Sequence, residues 1–430
     1  MEQQQTTDEN IRSSSNRNGF SLDAALNIML KESCSKGSNF VFSPFSFNSM
    51  LCLIAAGAKG SVLEQLLQVL GYRSLEEVSS SMASRALLPM LSTVNNERDD
   101  VVASGPIISF INSAWVDRRF KLKPSFEELA KQVYRATVKQ VDFVCKAREV
   151  EDEINLWVAK ETKGLIRSLL PQGSLEDDTA LVLANALYFK GQWDRKFDPA
   201  RTQVRSFHLL NSPETVAVPF MTTKPNQKHL YKSFDGYKVL KIPYQNPEPE
   251  NEDNSMQFSM HFFLPDEPNS LPTLVQKIRT NPGMLNDYSD QLKLENLPQL
   301  WIPRFKFSFD VEAKEALEEL GMGFKAGELT EMVDCGAAED KLSLSKMFHK
   351  AFVEVNEEGT EAAASTAPRF IRKCGRRNPP SFVADHAFMF TIVEETSGIV
   401  LFLGAVVNPL LVSADGCGTL LHMDKKPRCH

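Results

Sequence analysis

Phe352-Val353-Glu354-Val355-Asn356-Glu357-Glu358-Gly359-Thr360-Glu361-Ala362-Ala363-Ala364-Ser365-Thr366-Ala367 is the stretch on which the reading of this chain turns. Its first residues are β-prone and read as the end of a strand. Gly359 then frees the backbone. After it come small residues and one charge, Glu361. Side chains alternate across a strand with a period of two. In an extended 360–370 segment, Thr360, Ala362, Ala364, Thr366, Pro368 and Phe370 share one face. Glu361, Ala363, Ser365, Ala367 and Arg369 share the other. The first face is small and uncharged as far as Thr366, fit to slide beneath a packed layer. The second is fit to meet water. The same residues suit an exposed loop and a buried strand.

Just beyond, Phe370-Ile371-Arg372-Lys373-Cys374-Gly375-Arg376-Arg377-Asn378-Pro379-Pro380 is basic, Pro-ended and loop-like. Arg372-Lys373 in its middle is what a protease with an acidic specificity pocket binds. Glu357-Glu358-Gly359-Thr360-Glu361-Ala362-Ala363-Ala364 resembles the reactive-loop hinge of the serpins, in the wording of plant serpins. An alanine-rich surface loop or helix is the plainer alternative for these residues taken alone, so the rest of the chain decides.

With 430 residues, 42% of them hydrophobic, the chain has ample material for a large core. Its length suggests two or three domains, although single domains of this size exist. A net charge of −7 offers no general footprint for nucleic acid or an anionic membrane. The longest apolar runs, such as 50–58, are too short to span a bilayer. Residues 1–18 are polar and charged without an apolar stretch, and read as a disordered tail rather than a targeting signal. The seven cysteines are irregularly spaced without a Cys-x-x-Cys pair, which favours a reducing compartment over a disulfide framework or zinc site. No Asn-x-Ser/Thr acceptor occurs. The expected location is cytoplasmic or nucleocytoplasmic, with secretion left open.

Taken in order, Ser21 is expected to cap a helix carrying Leu22, Ala25, Leu26, Met29 and Leu30, with Gly37 closing the region. Asn39 to Ser46 reads as a short strand that breaks into a helix at Ser46. Ser61 with Glu64 reads as a capping box for a helix closed by Gly71. A strand is expected at 107–116, a helix at 125–137, and an amphipathic helix at 151–166 bearing Ile154, Trp157 and Val158. The run 179–189 is apolar except for Thr179 and Asn185, as a strand buried on both faces should be. Residues 256–262 alternate, as a half-buried strand does, and 301–309 alternate again, with Asp310 placed to cap the next helix. Two apolar strands around Thr396-Ser397-Gly398 close the chain before Asn408-Pro409. Helices first and strands later give an α+β order.

Catalytic signatures are missing: there is no Gly-x-Ser-x-Gly elbow, phosphate loop, dinucleotide fingerprint or His-Glu-x-x-His. Cations around Cys374 would lower a thiol pKa, but no histidine stands near it in sequence, so a redox-sensitive or inert loop thiol is the preferred reading.

Further stretches carry the serpin resemblance: Asn39–Ser46 with Gly57-Ala58-Lys59-Gly60, Ile154–Val158 through Ile166, Asn185–Trp193, and Val216–Met221. It covers roughly 20–410. It implies an α+β fold of three β-sheets with a cluster of helices and an exposed reactive-centre loop at about 357–378. The implied domain is single and spans 19–410, followed by an extension, 411–430, of unknown role. The resemblance assigns Glu357 to Ala364 to the hinge, and Ser43, Ser46, Asn185, Trp193 and His349 to the region that opens to admit the loop. His349 would bond near Asn185, and its titration would tune opening near neutral pH. The family's spacing puts the reactive bond at Lys373-Cys374, with Arg372-Lys373 as the alternative.

The implied activity is not enzymatic. It is inhibition of serine-type or cysteine-type endopeptidases that cut after Arg or Lys, by loop cleavage and insertion. The partners implied are trypsin-like serine proteases, metacaspases or papain-like cysteine proteases, met by a monomer with no cofactor and no metal. Pro368 would enter a central strand without an N–H, which counts against full insertion. A non-inhibitory binding or storage protein, or a plain protease substrate, is the alternative.

Overall fold

Leu181–Lys190 is the spine of the molecule, a strand whose apolar run is buried almost to its end. The computed structural model describes residues 19–80, 106–224, 226–246, 256–285, 287–334, 341–359 and 379–412. Within them this strand is central in a five-stranded sheet ordered Phe305–Glu312, Lys346–Val355, Leu181–Lys190, Ile107–Asp117, Ala136–Val141. Its neighbours differ in direction. Ile107–Asp117 runs antiparallel to it and Lys346–Val355 runs parallel, in a register from Lys346 opposite Val182 to Phe352 opposite Tyr188.

Both faces of the spine are covered, for different reasons. Leu181, Leu183, Leu187 and Phe189 face the main core, shared with a seven-stranded sheet. Val182, Ala184 and Ala186 face a second cluster, where Ile154 and Val158 of the Phe143–Glu161 helix lie across the sheet. A four-stranded sheet, ordered Ser381–Val383, Gln299–Pro303, Thr215–Met221, Gln203–His208, and a two-stranded ribbon complete the β-structure among the described residues. Three main sheets with a cluster of helices match the expected fold.

The Pro44–Gly57 helix runs through the main core, buried along nearly its whole length, and its apolar residues are correspondingly spread around it with only Ser46, Asn48 and Ser49 polar. Its cap is Ser43, whose hydroxyl accepts from Ser46 N at 3.0 Å, so the helix starts two residues before the expected Ser46. Ser21 is not a cap: it lies inside Gly19–Met29 and its hydroxyl donates to Asn48. The Ser61–Glu64 box does not form. Glu328, distant in sequence, accepts from Val62 N at 2.7 Å and from Ser61 Oγ at 2.9 Å, and these bonds hold its carboxyl below the usual range. The helix closes on left-handed Gly71 as expected.

Other expectations shift with tertiary context. The helix expected at 125–137 stops at Val133, because Ala136–Val141 pairs with Ile107–Asp117 as a strand. The helix expected at 151–166 spans Phe143–Glu161, capped by Asp142. Phe258–Pro265 is buried throughout rather than half-buried, since Ser259 and His261 also face protein. The 301–309 alternation is two strands in two sheets, Gln299–Pro303 and Phe305–Glu312, parted at Arg304. Glu312, not Asp310, caps the following helix, and it also accepts from Met347 N. Residues 1–18, 360–378 and 413–430, which hold the polar tail, most of the reactive loop and nearly all of the extension, lie outside the described residues.

Candidate functional site

Four of the expected residues meet beneath the parallel pair of strands. His349 and Asn185 stand opposite each other in the ladder, and His349 Nδ1 lies 2.8 Å from Asn185 Oδ1. On its other side His349 Nε2 accepts from Ser43 N at 3.1 Å, which makes Nδ1 the protonated, donating nitrogen. Ser46 Oγ also donates to Asn185 Oδ1, and Asn185 Nδ2 donates to Ile111 O at 3.1 Å. All four side chains are fully buried. The cluster thus ties the N-terminus of the buried helix to both parallel strands, with nearly every polar group paired.

This geometry overturns the expected pH tuning by His349. Burial pushes its pKa down to about 3, and a second proton would put an N–H against the Ser43 N–H. His349 is therefore neutral throughout the physiological range.

The other part of the site begins where Lys346–Val355 ends. Asn356 to Gly359 form a tight turn, with Asn356 N donating to Gly359 O at 2.9 Å and Glu358 N to Asn356 Oδ1 at 3.0 Å. Trp193 holds this turn twice: its indole N–H donates to Asn356 O at 2.9 Å and its backbone N–H to Glu358 O at 3.0 Å. Phe197 N donates to Glu357 O at 2.9 Å. Glu357 is only 5% exposed. Its carboxylate accepts from Thr202 Oγ1 at 2.5 Å and faces Arg304 at 3.6 Å. Glu358 pairs with Lys196 at 2.5 Å near the surface.

Gly359 carries the turn because no other residue fits. Its φ is +138°, and a Cβ there would stand 2.1 Å from Gly191 O. It bridges Gln192 in the antiparallel sense. Thr360, Glu361, Ala362, Ala363 and Ala364 of the expected hinge, and Arg372, Lys373 and Cys374 of the expected reactive bond, lie outside the described residues. The chain is described again from Pro379 and enters the Ser381–Val383 strand, at the edge of the four-stranded sheet.

Sequence reading missed several contributors. Thr202 and Arg304 hold Glu357 from distant segments, and no local pattern marks them. Asn356 has a signal only in hindsight, as an Asn beside a glycine turn. Asn112 had a clearer one, a polar residue inside the apolar 107–116 run. It sits opposite Asn185 with both side-chain polar atoms buried and unpartnered.

Fold and site together describe a class of protein: a three-sheet α+β scaffold with a sequestered turn at the end of Lys346–Val355, one of the two parallel neighbours in the five-stranded sheet. Comparisons with known proteins give that class its name. A family model described as serpin (serine protease inhibitor) matches residues 15–409. Serpin-ZX of Arabidopsis thaliana is 42% identical over 382 residues, covering 87% of this chain and 93% of its own length. Serpin-Z2B of Triticum aestivum is also 42% identical over 382 residues, covering 87% of this chain and 91% of its own. The solved structure of Arabidopsis AtSerpin1 in its native stressed conformation matches with a TM-score of 0.79 at 39% identity, over 93% of this chain and 99% of that one. The chain belongs to the serpin family and is similar to its plant members.

Proposed function

We propose that this serpin is a suicide inhibitor of endopeptidases that cut after Arg or Lys, and that it uses the hinge at 357–364 to insert its cleaved loop into the five-stranded sheet. The observation that carries this reading is the antiparallel bridge between Gly359 and Gln192. The Asn356–Gly359 turn reverses the chain at the end of Lys346–Val355. A strand continuing from it must run antiparallel to Lys346–Val355, and hence also to the parallel Leu181–Lys190. The place that accepts such a strand on both edges is between those two. Thr360, Ala362 and Ala364 are small enough to follow there.

The energetics favour the inserted state. A central strand of about ten residues makes roughly twenty ladder bonds, while parting the parallel pair gives up the bonds of its seven register pairs. About a dozen bonds are gained, at roughly 1 kcal/mol net each, on the order of 10 kcal/mol in all. That rivals the stability of an ordinary domain, so the intact form is kinetically held. Ser43, Ser46, Asn185 and His349 hold the two strands together beneath the sheet, and Trp193 holds the turn at its end. Strand addition and release of stored strain are established modes of protein switching.

Arg372 and Lys373 direct the loop to trypsin-like serine proteases, metacaspases or papain-like cysteine proteases. The reactive bond is Lys373-Cys374, with Arg372-Lys373 as the alternative. Pro368 favours a second reading, a plain substrate whose loop is cut but does not insert fully. Trypsin mixed with the intact protein decides between them on a denaturing gel. A denaturant-stable complex supports inhibition. A cleaved band without complex supports the substrate reading. We further propose that residues 19–410 act as one domain and a monomer in the cytoplasm or nucleocytoplasm, which fractionation and sedimentation test.

A further inference from the structure

His386 lies where the chain leaves the Ser381–Val383 strand for the seven-stranded sheet. That strand is the first described element after the reactive segment, so it anchors the far end of the loop. By itself it is a weak anchor. Three register pairs join it to Gln299–Pro303, and no strand covers its other edge among the described residues. The residues after it carry the hold. Ala384 N donates to Trp301 O at 2.9 Å, and His208 N donates to Asp385 O at 2.7 Å. The His386 ring adds a third tie, with Nε2 2.9 Å from Pro265 O and Nδ1 2.9 Å from Asp385 Oδ1.

Both partners of the ring are acceptors. Pro265 O is a carbonyl oxygen. Asp385 is a carboxylate: burial works against its charge, but the hydrogen bond and charge of His386, and then His208, hold its carboxyl below the usual range. Only a ring with protons on both nitrogens donates to the two at once. A neutral imidazole has one N–H and sets a lone pair against the other oxygen. The adjoining elements bring one more titrating group and one ion pair. His208, exposed at the end of Gln203–His208, bridges His386 and lies beside Asp385. Asp266, next to Pro265, is paired with Lys238 at 3.8 Å.

We propose that His386 and Asp385 form a proton-operated clamp on the strand that ends the reactive segment. It is closed while both ring nitrogens are protonated. The ring is only 8% exposed and Asp385 38%, so when one proton leaves, Asp385 turns to water and the ring keeps Pro265 alone. Histidine changes charge between about pH 5 and pH 8, so the clamp tightens in acid and slackens in alkali across that range. A freed Ser381–Val383 strand lends the loop about 10 Å of extra chain, which eases insertion of an uncut loop. The clamp stands independently of the inhibitory mechanism. Its effect on the loop rests on the insertion reading given above.

Hydrogen exchange at the Ala384 and His208 amides of the intact full-length protein reads the clamp, as protection relative to an unstructured peptide at the same pH. Protection should fall about fivefold from about pH 5.5 to about pH 8, the worth of one hydrogen bond. Asp385→Asn offers the neutral ring a donor as well as an acceptor, and should hold protection level across the range. His386→Gln, without a titrating ring, should do the same, whereas His208→Gln should keep the fall. Level protection in the parent, a fall that survives Asp385→Asn, or a fall lost in His208→Gln overturns the clamp. The second half is read by the rate of spontaneous conversion on native gels, taken relative to Asp385→Asn at each pH so that acid losses at His349, His229 and His261 cancel. The ratio of parent to variant should rise about threefold over the same range. A constant ratio beside falling protection overturns the effect on the loop. Neither readout uses a protease, so failure of the inhibitory reading shows separately, on the trypsin gel.

Discussion

Replacing His349 with phenylalanine tests whether the buried cluster holds the sheet shut. Neighbouring strands lie about 4.8 Å apart, so a strand placed between Lys346–Val355 and Leu181–Lys190 moves them to nearly twice that separation. The 2.8 Å bond from His349 to Asn185 spans that gap and cannot survive insertion. In the Phe variant Ser43 N loses its acceptor and is left buried and unpaired, at a cost of about 1–3 kcal/mol. Asn185 Oδ1 keeps Ser46 but loses His349, worth about 1 kcal/mol. The intact form should lose about 2–4 kcal/mol. At roughly 2 cal/mol/K per residue over the 430 residues, that lowers its midpoint by about 2–5 °C at fixed scan rate. The opened form has already given up the Asn185 bond, so it is spared about 1 kcal/mol, and spontaneous opening should accelerate about fivefold. Scanning calorimetry of intact and loop-cleaved protein measures the first effect. The conversion rate at fixed temperature, followed on native gels, measures the second. Equal midpoint losses in both forms, with an unchanged conversion rate, would refute the reasoning.

The same histidine sets an acid limit. Its folded pKa of about 3 lies below the unfolded value near 6.5, so its contribution is complete above pH 6.5 and is lost as pH falls towards 3. The intact protein should weaken by up to about 1.4 kcal/mol per pH unit from this group, a slope that His349→Phe removes while His229 and His261 retain theirs. Gly359→Ala forces a Cβ to within 2.1 Å of Gly191 O and should unseat the turn, visible as faster exchange at the Trp193 amide; unchanged exchange would mean that the bridge to Gln192 is not held. Thr360→Arg asks the sheet to bury an unpaired charge at a cost of several kcal/mol, so cleavage by trypsin should proceed and the covalent complex should disappear. Brief tryptic digestion should release a C-terminal fragment beginning at Cys374 or Lys373, and the cleaved protein should melt well above the intact one; if it does not, Pro368→Ala should restore the rise.

Much of this protein was legible in its residues because the signals were local or periodic. The run at 179–189, apolar but for Thr179 and Asn185, read as a strand covered on both faces, and Leu181–Lys190 is the spine of the five-stranded sheet. Gly71 closes its helix because its left-handed backbone conformation favours glycine, whatever surrounds it. The small uncharged face at 360–366 and the basic Arg372-Lys373 pair belong to the sequence alone, and so does the family resemblance they carry. What the sequence did not settle was which distant groups would meet. The Ser61–Glu64 box was locally sound, yet Glu328 reaches the helix end first. The 301–309 alternation held its period while passing from one sheet to another, since period two records alternating faces and not which layer covers them. His349 lost its expected switch for the same reason: residue type supplies an imidazole that titrates near 6.5, but full burial against the Ser43 N–H decides that it stays neutral. Thr202 and Arg304 became holders of Glu357 only because folding brings three remote segments to one point, and no pattern along the chain records a meeting made in three dimensions.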